Sequence, residues 1–268
     1  MPSLKLHANG HLQAKGKDTT GSEQYFYHED WQALRDTLKF ERIAEVGAAL
    51  PSIRRKVRKL LKSDAGSKER ALAACVRVLD GTGLRVGNRA SASEGTFGVS
   101  TLTRRHLQHE GKHLVLNFTG KAGVKIKRQV SAHLCELLSE LENAGTAPLF
   151  EYRCGEGQWS SVCASQVNEF LSELHSVDMT AKEFRTFRAS ALFVKYWSQK
   201  GGASASLKSI LEKVSKKLGN TPQTLRTSYV HPELIQMKKN GLKIRGMDTQ
   251  KIRGLKKHER LMLKLIDA

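Results

Sequence analysis

The chain has 268 residues, 39% of them hydrophobic and 26% charged, which suffices for one large domain or two ordinary ones with a proper core. Forty-five Lys and Arg against 26 Asp and Glu give a net charge of +19, so a polyanion is the natural partner, either nucleic acid or an anionic membrane surface. The longest apolar run, around Ala189–Val194, is far too short to cross a bilayer, so nucleic acid is the expected partner in preference to a membrane.

The amino terminus, MPSLKLHANGHLQ, has no apolar core followed by a cleavage site, so secretion is not indicated. Residues 5 to 13 and 24 to 28 alternate loosely around the turn-rich KGKDTTGS and predict a β-hairpin. From Trp31 the apolar spacing turns helical through Leu34, Leu38 and Ile43. Pro51 then predicts the start of another helix, with Ile53, Val57, Leu60 and Leu61 on one face and a run of basic residues from Arg54 to Lys62. Residues 68 to 80 predict a strongly apolar helix ended by the glycines of DGTG. The runs HLVLNF (113 to 118) and VKIKRQV (124 to 130) flank TGKAG and predict a hairpin with Lys121 at its tip. Helices are expected at 131–143, 165–175, 181–199, 205–217 and 256–266, with one short turn at 222–228. The fold class is therefore α+β, mostly helical with one or two small antiparallel sheets.

Cys75, Cys135, Cys154 and Cys163 are widely separated and form no CxxC, so a zinc site is not indicated and reduced thiols in a cytosolic protein are the simpler reading. Neither GxxxxGK[ST] nor GxGxxG occurs, so neither ATP nor a dinucleotide is expected, and no cofactor is called for. Phosphodiester transfer without a metal needs a nucleophile, cations around the phosphate and an acid for the leaving oxygen. Arginine forks suit the second role and a lysine the third. A tyrosine serves as nucleophile when arginines stabilise its phenolate. Tyr229 draws notice because it sits in a polar segment, LGNTPQTLRTSYVHP (218 to 232), where a core tyrosine would have apolar neighbours.

Four stretches together, GLRVGN (83 to 88), NFTGKAG (117 to 123), TAKEFRTF (180 to 187) and LGNTPQTLRTSYVHP, resemble the type IB DNA topoisomerases in their poxvirus and bacterial form. A fifth, GHLQAKGKDTTGSEQYFYH (10 to 28), resembles the end of that family's amino-terminal DNA-binding domain. The resemblance implies a partial amino-terminal DNA-binding domain over 1–38 and a catalytic domain of the tyrosine recombinase/type IB topoisomerase fold over 39–268. It implies that Tyr229 attacks the scissile phosphorus to give a 3′-phosphotyrosyl link, that Arg85 and Arg185 hold the non-bridging oxygens, and that Lys121 protonates the leaving 5′-oxygen. Asn220 would hydrogen-bond a phosphate oxygen, although its place after Gly219 equally fits a helix C-cap. Gln24, Tyr25, Tyr27 and Lys182 match positions that touch DNA; alternation puts Tyr25 and Tyr27 on one strand face, where they would otherwise pack inside a small sheet. The implied partner is double-stranded DNA, bound by a cytoplasmic, nucleoid-associated monomer that encircles it as a clamp.

Two departures stand out. The family's amino-terminal strands before GHLQA have no counterpart here, and after RVGN the run RASASEGTFG replaces a tyrosine-containing ENGSYG-like segment and is one residue shorter. Two rival functions remain. A tyrosine recombinase would share the chemistry but usually shows HxxR where this chain has Lys182-Glu183-Phe184-Arg185; a non-catalytic basic DNA-binding protein would explain the charge alone.

Overall fold

The computed structural model describes residues 5–6, 10–17, 23–143, 148–155, 157–176 and 179–267. The chain divides into two compact units, residues 1–43 and 44–268. In the first, β1 (Lys5–Leu6), β2 (Leu12–Lys17) and β3 (Glu23–Tyr27) form an antiparallel sheet in that order. The expected hairpin is β2–β3, but the single strand expected over 5–13 is two short ones; residues 7–9 and the turn at 18–22 lie outside the described residues. A bulge between Leu12 and Ala14 shifts the register, so Leu12 pairs with Tyr27 and Ala14 with Phe26. Tyr25 and Tyr27 share a face as the alternation requires, with ring centroids 6.5 Å apart. They do not pack inward: Tyr25 is 46% exposed, Lys15 lies 5.3 Å over its ring, and Arg35 lies 5.2 Å over that of Tyr27. Gln24 is exposed as well.

Helix α1 (Glu29–Leu60) corrects the expectation at Pro51, which sits inside one continuous helix and does not open a second. An interior proline costs about 3 kcal/mol or more. An unbroken buried face through Val46, Leu50, Ile53 and Val57 offsets that cost, because breaking the helix would expose it.

The second unit is built around α2 (Lys68–Thr82) and α6 (Ala181–Ser198), each buried along most of its length. Ser67 caps α2 by accepting from the Arg70 amide, and Gly83 ends it in the left-handed conformation at φ 68°. A short helix α3 (Arg89–Ser93) follows, then the antiparallel sheet β4 (Leu107–Glu110), β5 (His113–Thr119) and β6 (Lys125–Gln129). Next come α4 (Ala132–Asn143), the ribbon β7 (Glu151–Arg153) and β8 (Trp159–Ser161), and α5 (Ala164–Leu174). After α6 the chain forms α7 (Leu207–Leu218), α8 (Pro222–Ser228), α9 (Pro232–Lys239) and α10 (Lys257–Ile266). Mostly helical with three small sheets among the described residues, this is the α+β class expected, with one sheet more than foreseen. Prolines at the first turns of α8 and α9 fix where those helices begin.

A buried ion triad ties α10 to α1 and α2. Arg54 donates to Asp80 at 2.8 and 2.9 Å, to Glu259 at 2.8 and 2.9 Å, and to the Gly254 carbonyl at 2.6 Å. The two hydrogen-bonded carboxylates raise the Arg54 pKa against its burial. For Glu259 burial pushes upward, but the Arg54 bonds and charge overcome it and hold the carboxyl down at about 2.

Candidate active site

Three backbone devices create the site. Gly83 ends α2 and Gly219 ends α7, both in the left-handed conformation, and each is followed within two residues by a site side chain, Arg85 or Asn220. The third is a backbone-to-backbone contact. A Cβ on Gly98 would lie 2.5 Å from Gly87 Cα and 2.7 Å from the Arg85 carbonyl, so only glycine lets the 96–98 segment lie against the RVGN loop. Amides of Val99 and Ser100 then donate to the Arg85 and Val86 carbonyls at 2.9 and 2.8 Å, fixing the loop that carries Arg85.

The capping box Thr180–Glu183 starts α6: Glu183 Oε2 accepts from the Thr180 amide at 2.6 Å and its hydroxyl at 2.7 Å. Glu183 is thereby explained by helix initiation, and the helix then projects Arg185, 2% exposed, onto the ends of α2 and α7. Its Nη1 donates to the Gly83 carbonyl at 2.5 Å and its Nη2 to the Leu218 carbonyl at 2.5 Å and to Asn220 Oδ1. Helix C-terminal carbonyls are a favourable seat for a cation. Burial, then the neighbouring Arg85 charge, still pushes the Arg185 pKa down to about 10. Its Nε and the Nδ2 of Asn220 are buried without a partner among the described residues, two donors left for an anion. Asn220 shows the C-cap geometry, its amide and that of Gly219 reaching the Ser215 carbonyl, while its side-chain oxygen accepts from Arg185. Arg85 Nη1 lies 3.3 Å from the Gly219 carbonyl.

Lys121 occupies the hairpin tip as expected, in a tight turn that puts Ala122 at φ 60°. The rival lysines on this hairpin are engaged elsewhere. Lys125 donates to Thr119 Oγ1 at 3.2 Å, and Lys127 pairs with Glu110 at 2.7 Å. Lys121 has no such partner among the described residues and lines a cavity of about 340 Å³ together with Arg85, Lys182, Arg185 and Tyr229. Four of the five expected catalytic side chains and one expected DNA contact thus share one space, and the fifth, Asn220, bonds Arg185 at its edge. Gln24, Tyr25 and Tyr27 belong to the other unit and are not among its lining residues.

Tyr229 follows α8 at its C-cap, with the Arg185 guanidinium 5.3 Å from its ring centroid. The buried Ser190 hydroxyl steadies it, donating to the Tyr229 carbonyl at 3.2 Å and accepting from the His231 amide at 3.0 Å. Ser190, and Ser91 and Phe97, which line the same cavity, carry no signal of their own in the sequence; only the position of Ser190 on the same helix as Arg185 points to it.

Cations and an arginine-backed phenol fit a phosphate, not a metal, and among the described residues no cluster of three His, Cys, Asp or Glu has metal-ligand spacing. A separate cavity of about 300 Å³ beside Arg54 and Asp80 is closed as a reactive site by the internal pairing of those charges.

The family model described as the eukaryotic DNA topoisomerase I catalytic core matches residues 28–257, which hold all five site residues. A protein of Acanthamoeba polyphaga mimivirus named DNA topoisomerase 1B is 24% identical over 196 residues, covering 70% of this chain and 57% of the viral protein. DNA topoisomerase 1 of Mycosarcoma maydis is 29% identical over 178 residues, covering 59% of this chain and 17% of the fungal protein. This chain therefore spans little more than half of one relative and a sixth of the other. The chain belongs to the DNA topoisomerase I catalytic-core family, within the type IB topoisomerases.

Proposed function

We propose that this protein relaxes supercoiled double-stranded DNA by cutting one strand through Tyr229, allowing rotation about the intact strand, and resealing the break. The supporting observation is the single cavity that gathers Tyr229, Arg85, Arg185 and Lys121. Tyr229 Oη forms the bond to phosphorus as the bond to the 5′-oxygen breaks, and Lys121 delivers a proton to that oxygen. The phenol proton leaves to solvent. Arg85, Arg185 and the Asn220 amide take up the charge that grows on the non-bridging oxygens, the term that dominates catalysis of this kind. Reversal of the same step reseals the strand, since the phosphotyrosyl ester keeps the energy of the broken linkage, so neither ATP nor a divalent metal is required.

Further support for a polyanion comes from a cavity of about 490 Å³ lined by Arg55, Arg58, Lys59, Lys62 and Arg253 without a carboxylate. We also read residues 1–38 as the end of a DNA-binding domain whose tyrosines and Gln24 touch the duplex, residues 39–268 as the catalytic domain of the recombinase/type IB fold, and the enzyme as a monomer acting in the cytoplasm. Supercoiled plasmid in EDTA should be relaxed without any cognate paired site. Tight, salt-sensitive binding that leaves supercoils intact would favour a non-catalytic DNA binder, and strand exchange between specific sites a recombinase.

A further inference from the structure

The last turn of α2 offers three consecutive carbonyls, and each accepts from a different arginine. Gly81 accepts from Arg188 Nη2 at 3.0 Å, Thr82 from Arg128 Nη1 at 3.3 Å, and Gly83 from Arg185 Nη1 at 2.5 Å. Arg185 and Arg188 come from α6, whereas Arg128 comes from β6, the strand leaving the Lys121 hairpin tip. Its second arm, Nη2, reaches the Lys216 carbonyl in the last turn of α7 at 3.3 Å. Strand alternation places Ile126 and Arg128 on the same, inner face of β6, while Lys125 and Lys127 face outward to Thr119 and Glu110. Ile126 in turn abuts Gly219, where any Cβ would strike its Cδ1. The hairpin that presents Lys121 is therefore docked onto the two helix ends that seat Arg185 and Asn220 through two side chains, one apolar and one a two-armed donor.

Charge makes the choice of arginine informative. Burial, and then the nearby Arg188, depress the Arg128 pKa to about 10, and no carboxylate contributes to it. An uncompensated cation in such company is costly, and a role in folding alone would be better served by an apolar side chain.

We propose that Arg128 is a positioning residue for proton delivery: its fork locks the hairpin in the register that brings Lys121 to the 5′-oxygen of the phosphate held by Arg185. This rests on the transesterification reading above. In that step the P–O5′ bond breaks and the 5′-oxygen takes a proton from Lys121 Nζ. Where a sulfur replaces that bridging oxygen, the departing thiolate needs no proton, because a thiol is far more acidic than an alcohol.

The test uses a short duplex carrying the cleavage site mapped on plasmid with the unaltered protein, made with either oxygen or sulfur at the 5′-bridging position. Single-turnover cleavage is measured for the unaltered protein and for Arg128→Met, Arg128→Lys, Lys121→Ala and Arg185→Ala. General acid catalysis contributes roughly 10²–10⁴-fold, so Lys121→Ala should fall by that range on oxygen and recover on sulfur. Arg128→Met should fall by at least about 30-fold on oxygen and return to within about 3-fold of the unaltered protein on sulfur, while Arg185→Ala stays slow on both. Arg128→Lys, which keeps one arm, should show a smaller loss with the same recovery, and it carries the test if the methionine variant does not fold. Equal slowing of the Arg128 variants on both substrates, or undiminished cleavage of the oxygen substrate, would overturn the proposal. Failure of the unaltered protein to cleave either duplex would overturn the transesterification reading itself.

Discussion

Gly98→Ala tests how the site is built without touching a reacting group. Gly98 has an ordinary extended backbone, so the substitution introduces no torsional strain; space alone is at issue. The new methyl would sit 2.5 Å from Gly87 Cα and 2.7 Å from the Arg85 carbonyl, against a comfortable carbon separation of about 3.5–4.0 Å. Both neighbours are backbone, so no rotamer change relieves the clash and the two segments must part by about 1 Å. The hydrogen bonds that the Val99 and Ser100 amides donate to the Arg85 and Val86 carbonyls cross this gap, so the displacement passes directly to Arg85. Overpacking of this kind costs about 1–3 kcal/mol of stability. A misplacement near 1 Å costs about 10²-fold in rate. Single-turnover cleavage of an oligonucleotide duplex, followed as covalent adduct on a denaturing gel, should therefore slow by about two orders of magnitude, with a lowered thermal midpoint but duplex affinity nearly unchanged. Cleavage within about 3-fold of the unaltered protein would refute the view that the glycine contact sets the position of Arg85.

Removing the Ser190 hydroxyl in Ser190→Ala takes a donor from the Tyr229 carbonyl and an acceptor from the His231 amide, costing about 1–3 kcal/mol; cleavage should fall about tenfold at unchanged DNA affinity, as a burst assay beside equilibrium binding would reveal. Glu259→Gln breaks the buried pair with Arg54 and should destabilise the fold by about 3–5 kcal/mol in urea titration. Acid should weaken the protein in two steps. Burial, with nearby cations, lowers His106 and His258 from 6.5 to about 4, so the unfolded chain binds more protons in that window and stability drops as pH falls through it. Glu259, lowered from 4.5 to about 2, removes its share over the next interval, and the thermal midpoint followed down the pH scale checks both.

Local chemistry was the readable part of the sequence. Apolar spacing located α2, α6 and α10, and alternation around TGKAG placed Lys121 at a hairpin tip. The family resemblance carried by four of the five motifs named the side chains that share the cavity, whereas the residues of the fifth, Gln24, Tyr25 and Tyr27, do not line it. Illegible features depend on tertiary contact. Pro51 signals a helix start by itself, and only the buried face that α1 presents on both sides of it keeps the helix whole. LQHE lacks β-branched residues, so β4 forms because β5 offers it a partner, pairing Leu107 with Leu116. Leu34 and Leu38, expected on an apolar helix face, are each 49% exposed. In the site, nothing within RASASEGTFG marks Gly98 as the glycine that meets Gly87, and nothing in the composition of VKIKRQV separates Arg128 from its neighbouring lysines. Its alternation with Ile126 on the inner face is the one signal: a charge at a half-buried strand position needs a reason.

In the proposed reaction the Tyr229 phenol oxygen becomes bonded to a DNA 3′-phosphate. Protein incubated with plasmid in EDTA, quenched with denaturant and digested with nuclease and protease, should yield one modified peptide, carrying its nucleotide on Tyr229 and vanishing in Tyr229→Phe. A nucleotide attached to any other residue, or relaxation that persists in the phenylalanine variant, would contradict the account.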